Sequence, residues 1–298
     1  MPELPEVETI KRDLEKKIIG HTIREAAISV PKMVSPKDLP KRLKGFRVLG
    51  VSRRAKLLIL EGKSDFLLFH LKMTGQIVLR PAQDFSIKDG EARQRRQQKQ
   101  IIFGGHPIIG LKELPNKYTR AIFCFTNGDI LYFNDLRKFG YIKLVSKTEG
   151  EKIFGKYGVE PLEKSFTLEH FIELIKKAKT ARLKPFLLNQ EKISGLGNIY
   201  VDEACFLAGV RPMRKANTLT RREQEKLWRA IKTILALSIK HRGTSFNTYI
   251  DADGLTGRFW KYRKIYGRRG ELCLVCKTPI VYTKLVGRGT HYCPKCQK

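Results

Sequence analysis

The sequence predicts an α+β chain in which an N-terminal helix rides on an antiparallel β domain, followed by a helical domain and a small cysteine-held tail. Three observations predict it. A helix-period apolar stripe opens the chain, and Ile23 to Leu144 is then built of short apolar runs broken by turn signals. After Phe166 the period returns to helical, and the chain ends in two C-x-x-C pairs.

In the first element, MPELPEVETI, Val7, Ile10, Leu14 and Ile18 line one helical face that stops at Gly20. Pro5 suits the first turn, where its missing N–H costs no hydrogen bond, and Glu6 and Glu8 suit the positive end of the helix dipole. Pro2 and Glu3 are not explained by helix initiation. In the β region LLIL (57–60), FLLFHL (66–71) and AIFCF (121–125) read as strands, and Asn127-Gly128 between AIFCF and ILYF reads as a hairpin turn. Residues 82–118, with EARQRRQQKQ, form a basic excursion from this domain, either a solvated loop or an arm on nucleic acid. Beyond it Phe171, Leu174, Ile175 and Ala178 share a helical face, as do Leu227, Ile231, Ile234 and Leu235, the latter opened by a Thr220/Glu223 capping box. Cys124 and Cys205 stand in apolar contexts and read as core. The domain boundaries expected are 2–146, 147–261 and 262–298.

Charge narrows the function. Lys and Arg number 59 against 29 Asp and Glu, a net +30. A field of that size serves a polyanion partner, whose phosphates release counterions on binding, rather than a small metabolite. No apolar run approaches the about 18 residues needed to span a bilayer, and the acidic N-terminus lacks the basic and apolar regions of a signal peptide. A cytoplasmic protein is expected, in a reducing compartment where clustered cysteines hold metal rather than disulfides.

Cys273-x-x-Cys276 and Cys293-x-x-Cys296 offer four thiolates to one tetrahedral Zn²⁺. With no position left open, this zinc is structural, and the hairpin between the pairs would present Lys284 and Arg288 near its tip. The GLGN turn at 195–198 permits two readings: backbone amides against a phosphate, or close approach of two helices. Pro2 becomes a secondary α-amine once Met1 is removed. An α-amine titrates near about 8, well below the about 10.4 of a Lys side chain, so a usable fraction is neutral. Such an amine can attack an aldehyde-like sugar carbon and form an iminium, with Glu3 beside it to move protons.

These pieces together resemble a known family. PELPEVET, HLKMTGQ (70–76), NDLRKFG (134–140), GVEPL (158–162), LLNQEKISGLGNIYVDEA (187–204) and GRGTHYCPKCQ (287–297) are similar, in the same order, to bacterial formamidopyrimidine-DNA glycosylases. The resemblance implies a β-sandwich, a helix–two-turn–helix and a zinc finger. It implies a monomeric, nucleoid-associated repair enzyme that excises 8-oxoguanine and formamidopyrimidines from double-stranded DNA and nicks the strand by β,δ-elimination. Residue by residue, Pro2 matches the nucleophile, Glu3 the acid/base, Glu6 a second acidic residue near the pocket and Lys56 the β-domain lysine. His70, Lys184, Asn198 and Arg288 match DNA-binding positions. Met73, Arg137 and Phe139 match the trio that fills the void left by the extruded base.

Two departures bear on specificity. Asn247 stands in the lesion loop where Lys or Arg is usual, and Asn189 where Asp is common. The alternatives are an endonuclease VIII-like enzyme for oxidised pyrimidines and a non-enzymatic DNA- or RNA-binding zinc protein. Leu4 and RKFG favour the purine enzyme, and Pro2, Glu3 and Lys56 argue for catalysis.

Overall fold

Helix α1 (Leu4–Ile18) carries two loyalties. Val7, Ile10, Leu14 and Ile18 are all fully buried in the β-domain core, each worth about 2 kcal/mol by area removed from water. Leu4, one turn earlier, belongs instead to the core of the helical domain. The helix therefore stitches the two units together, and its N-terminus lies at their junction. The computed structural model describes residues 2–82, 101–103 (backbone only), 114–244 and 258–298. Met1, the basic run EARQRRQQKQ and Asn247 lie outside the described residues.

The β domain comprises β1 (Ile23–Ile28), β2 (Val34–Ser35), the short helix α2 (Leu39–Arg42), β3 (Gly50–Arg54), β4 (Leu57–Glu61), β5 (Asp65–His70), β6 (Gly75–Arg80), β7 (Ile101–Phe103), β8 (Thr119–Phe125), β9 (Ile130–Asp135) and β10 (Tyr141–Ser146). They form two five-stranded sheets, β1-β8-β9-β6-β7 and β2-β10-β5-β4-β3, closed face to face over one apolar core. Period-two alternation fills that core: Ala121, Phe123 and Phe125 point in from β8, and Phe69 meets Phe123 edge-on and Phe133 at a tilt. The same alternation turns Cys124 outward, half-buried, so the expected core cysteine is a surface-side one. Cys205 is buried as expected.

Two further expectations are refined. The sandwich is antiparallel except for the short β2–β10 pair, which is parallel. The excursion 82–118 is not wholly outside the sheet, because β7 within it pairs with β6 through Ile77↔Phe103 and Leu79↔Ile101. The Asn127-Gly128 turn joins β8 to β9, with Gly128 at φ +87 as that turn requires.

Strand register gathers the future site at one rim of the sandwich. Leu57, just after the β3–β4 turn, pairs with His70, and His70 pairs with Tyr141. Gly75 pairs with Asp135. The turn holding Lys56, the loop 71–74 and the loop 136–140 thus emerge side by side.

The helical domain contains α3 (Lys147–Phe154), α4 (Leu168–Lys176), α5 (Leu183–Leu188), α6 (Asn198–Ala208) and α7 (Arg221–Lys240). Thr220 and Glu223 cap α7 as expected, whereas α4 ends two residues before Ala178. In the tail, β11 (Val281–Leu285) and β12 (Arg288–Tyr292) form the hairpin, and β12 packs on α6. Among the described residues no helix is long and apolar enough to cross a membrane.

Candidate active site

The site is built where the α1 N-terminus meets the α6 N-terminus. Glu3 is 3% exposed, and its carboxylate accepts the backbone N–H of Ile199 at 3.0 Å and of Tyr200 at 3.4 Å. Two amides at the positive end of a helix suit a carboxylate there. The glycines of the 195–198 turn are explained by this approach. A Cβ on Gly197 would lie 2.1 Å from the Glu3 carboxyl carbon, and one on Gly195, at φ +85, would strike Leu4. Of the two readings of GLGN, close helix approach accounts for both glycines. Gln190 holds the turn in shape, accepting Gly195 N–H and donating to the Leu196 carbonyl, each at 2.9 Å.

Lys56 reaches the same place from the β domain. Its ammonium donates to the Leu196 carbonyl at 2.6 Å and is almost fully buried. The turn that presents it, with Ala55 at φ +53, is held by Glu160 of GVEPL, which accepts Ala55 N–H at 2.6 Å and pairs with Arg53 at 2.7 Å. Burial pushes the Glu3 carboxyl up to about 7, with Lys56 opposing the rise and Glu6 adding to it. Burial likewise lowers Lys56, against the pull of Glu3 and Glu6. A carboxyl titrating near neutrality beside a buried amine can both donate and accept a proton at physiological pH. Pro2, also buried, is attached directly to it.

Glu6 is the bracket of the site. It accepts the Glu3 backbone N–H at 2.8 Å, the Thr244 N–H at 2.7 Å and the Tyr200 hydroxyl. It thereby ties the chain's N-terminal residues to Thr244. Thr244 also forms an isolated antiparallel bridge with Arg258.

A groove of about 620 Å³ opens between the sandwich rim and the zinc hairpin, lined by Lys32, Lys72, Met73, Lys138, Phe139 and Arg288. Met73 is 38% exposed and Phe139 53%, and the Arg137 guanidinium stacks over the Phe139 ring at 4.6 Å. His70 accepts the Lys72 N–H on Nδ1 at 3.0 Å, which fixes the proton on Nε2. Burial, reinforced by Lys72 and Lys56, holds its pKa down to about 3, so it is a neutral donor.

The four sulfurs of Cys273, Cys276, Cys293 and Cys296 lie within 4.8 Å of one another, with pairs at 3.8 and 3.4 Å. A tetrahedral Zn²⁺ with sulfur at about 2.3 Å sets such separations near about 3.8 Å, so the set fits one structural zinc. Consecutive acids of α6 hold this module. Glu203 accepts the N–H groups of Lys264, Ile265 and Tyr266, and Asp202 accepts His291 N–H at 2.9 Å.

Residues 1–142 match the formamidopyrimidine-DNA glycosylase N-terminal domain, 157–249 the formamidopyrimidine-DNA glycosylase H2TH domain, and 270–298 a zinc finger found in FPG and IleRS. The formamidopyrimidine-DNA glycosylase of Carboxydothermus hydrogenoformans is 39% identical over 304 aligned residues, covering all of both chains. This chain belongs to the formamidopyrimidine-DNA glycosylase family. A Lactococcus lactis Fpg variant bound to DNA containing Fapy-dG is 36% identical with a TM-score of 0.83, covering 100% of each chain. The wild-type Lactococcus lactis protein bound to DNA containing an oxidised pyrimidine is 35% identical with a TM-score of 0.82, again over 100% of each. Membership makes this chain an enzyme, a DNA glycosylase.

Against this glycosylase frame, the structure brings Pro2, Glu3, Glu6 and Lys56 into one buried cluster and Met73, Phe139 and Arg288 onto one groove, with Arg137 against Phe139. Lys184 is 0% exposed, and its ammonium donates to Asp202 at 2.6 Å and to the Gly289 carbonyl at 2.7 Å, which ties it to the backbone beside Arg288. Asn198 donates to the same Gly289 carbonyl at 3.0 Å, and its Oδ1 is buried without a hydrogen bond among the described residues. Asn189 serves a local turn, accepting Glu191 N–H at 2.9 Å. The reading from sequence missed Glu160, Gln190, Asp202 and Glu203. All are buried or half-buried polar residues inside the matched motifs, and that placement was their only signal.

Proposed function

We propose that the chain excises 8-oxoguanine and formamidopyrimidines from duplex DNA by covalent catalysis at Pro2. With Met1 removed, the Pro2 amine attacks C1′ of the damaged nucleotide. The base departs with the electrons of its C1′–N bond and takes up a proton, and the amine nitrogen, now bonded to C1′, loses its own. Glu3 delivers a proton to the sugar ring oxygen as the C1′–O4′ bond breaks and the nitrogen lone pair forms the C1′=N iminium, and it then takes up protons during β- and δ-elimination of the two phosphates. The observation that carries this reading is the Glu3 carboxyl, buried next to Pro2 and poised near about 7. Lys56 supplies positive charge beside it, and His70 and Arg288 supply donors for the lesion-flanking phosphates. Arg137 pairs with the orphaned base while Met73 and Phe139 fill the void.

The bound zinc keeps the hairpin folded and so holds Arg288 in place; the sugar chemistry does not pass through it. In this division of labour residues 2–146 carry catalysis, 147–261 grip the duplex and 262–298 carry the hairpin, on the nucleoid DNA of the cytoplasm.

Borohydride trapping on duplexes containing 8-oxoguanine opposite cytosine, followed by peptide mapping, tests the reading. The expected adduct is on Pro2 with Met1 absent. An adduct on a lysine moves the nucleophile elsewhere. Trapping only on a thymine glycol duplex assigns the enzyme to oxidised pyrimidines, the lesion class bound by the Lactococcus protein above.

A further inference from the structure

The two loops that carry the void-filling side chains converge on one buried carboxylate. Asp135, at the end of β9, is 0% exposed. Its Oδ1 accepts the Thr74 hydroxyl and the Arg137 N–H, the latter at 3.1 Å, and its Oδ2 accepts the Gly140 N–H at 2.7 Å. Arg137 N–H is shared with the Thr74 hydroxyl oxygen at 3.0 Å, and the Asp135 carbonyl accepts Arg120 Nε at 2.8 Å. Thr74 follows Met73 directly. Arg137 and Gly140 bracket Phe139.

Each loop also holds a strained backbone next to its exposed side chain. Lys72, before Met73, sits at φ +49, and Lys138, before Phe139, at φ +57. Side-chain-bearing residues hold that conformation only when their surroundings over-determine it. Gly140 admits no side chain, because a Cβ would meet the Asp135 Oδ2 and the His70 carbonyl oxygen at 3.0 Å each. The carboxylate, the threonine and the glycine are packed as a unit.

We propose that Asp135 is a positioning residue that binds the Met73 loop and the Arg137–Phe139 loop into one preassembled wedge. The proposal rests on the reading of Met73, Arg137 and Phe139 as the side chains that fill the void. Held together, they enter the duplex in one step and the loops need no ordering at the moment of base extrusion. Asp135 itself touches neither DNA nor the reacting sugar.

The test compares wild type, Asp135→Asn and Thr74→Val in single-turnover excision on an 8-oxoguanine duplex. A 2-aminopurine neighbouring the lesion reports insertion. Asn keeps the size of Asp135 but replaces one acceptor oxygen by a donor facing donors. D135N is expected to slow duplex excision and insertion by about tenfold, as the loss of a buried charged acceptor implies. Borohydride trapping on a single-stranded abasic oligonucleotide, which has no void to fill, stays near wild type. Met73→Ala then costs less in the D135N background than in wild type, because the two act as a unit. Wild-type duplex excision by D135N overturns the proposal, as does full multiplication of the M73A and D135N effects. If D135N also loses single-stranded trapping, the sandwich has been damaged, and T74V decides by the same criteria. Unchanged insertion and excision in M73A and Phe139→Ala would instead refute the void-filling reading itself.

Discussion

Replacing Glu3 by Gln is expected to remove a pH-dependent cost to the folded state and abolish activity. The carboxyl is 3% exposed, and its pKa stands at about 7 against 4.5 for an ordinary glutamate. Because the folded value lies above the unfolded one, the folded state favours the protonated form. That preference is fully expressed below about 4.5 and is lost as pH rises through about 7. Above that window the ionised group costs the folded state on the order of 3 kcal/mol, a gap of about 2.5 pH units at about 1.4 kcal/mol each. Glutamine has nearly the same shape and no charge, so it carries none of this cost at any pH. The melting temperature of E3Q relative to wild type should therefore rise by about 5 °C from pH 5 to pH 8, at about 2 °C per kcal/mol for a chain of this length. Excision should fall by at least about a hundredfold with the proton shuttle gone. Thermal melts across pH, run beside single-turnover excision, read both quantities. A stability difference that does not change between pH 5 and pH 8 would refute the assigned burial cost, and retained excision would refute the role. This is the usual trade at a site where function requires a buried ionisable group.

Other consequences are equally direct. Gly197→Ala places a methyl carbon 2.1 Å from the Glu3 carboxyl carbon and should eliminate excision while zinc content, measured by atomic absorption, stays at one per chain. His70, held down at about 3, should show no ring titration by NMR between pH 5.5 and pH 8, and a titration near 6.5 would contradict its buried, neutral state. Arg288→Ala should lower the slope of log K against log salt by about 0.9, the contribution of one phosphate contact on duplex DNA. Chelating the zinc should weaken duplex binding in fluorescence anisotropy to at least the extent of Arg288→Ala, because the hairpin that places Arg288 is held by the metal.

Much of this molecule was legible in one dimension. The stripe from Val7 to Ile18, the Asn127-Gly128 hairpin, the Thr220/Glu223 cap and the cysteine pairs each depend on residues a few positions apart, so spacing alone reveals them. The motifs likewise placed Pro2, Glu3, Lys56, Met73 and Phe139. What spacing cannot carry is a hydrogen bond between distant segments. Ile199 donates to Glu3 across 196 positions, and Thr244 to Glu6 across 238. Glu160, Asp202 and Asp135 look like ordinary surface acids in the sequence, and become brackets only when the fold buries them against amides that need an acceptor. Lys184 reads as one more cation in the sequence, and only the packing of α5 on α6 encloses it with Asp202. The sequence by itself determined which segments are helix, strand and zinc knuckle, because local periodicity and ligand chemistry decide those. Tertiary structure alone decided which charges are spent inside the protein and which face the groove, because burial depends on what the distant chain brings alongside.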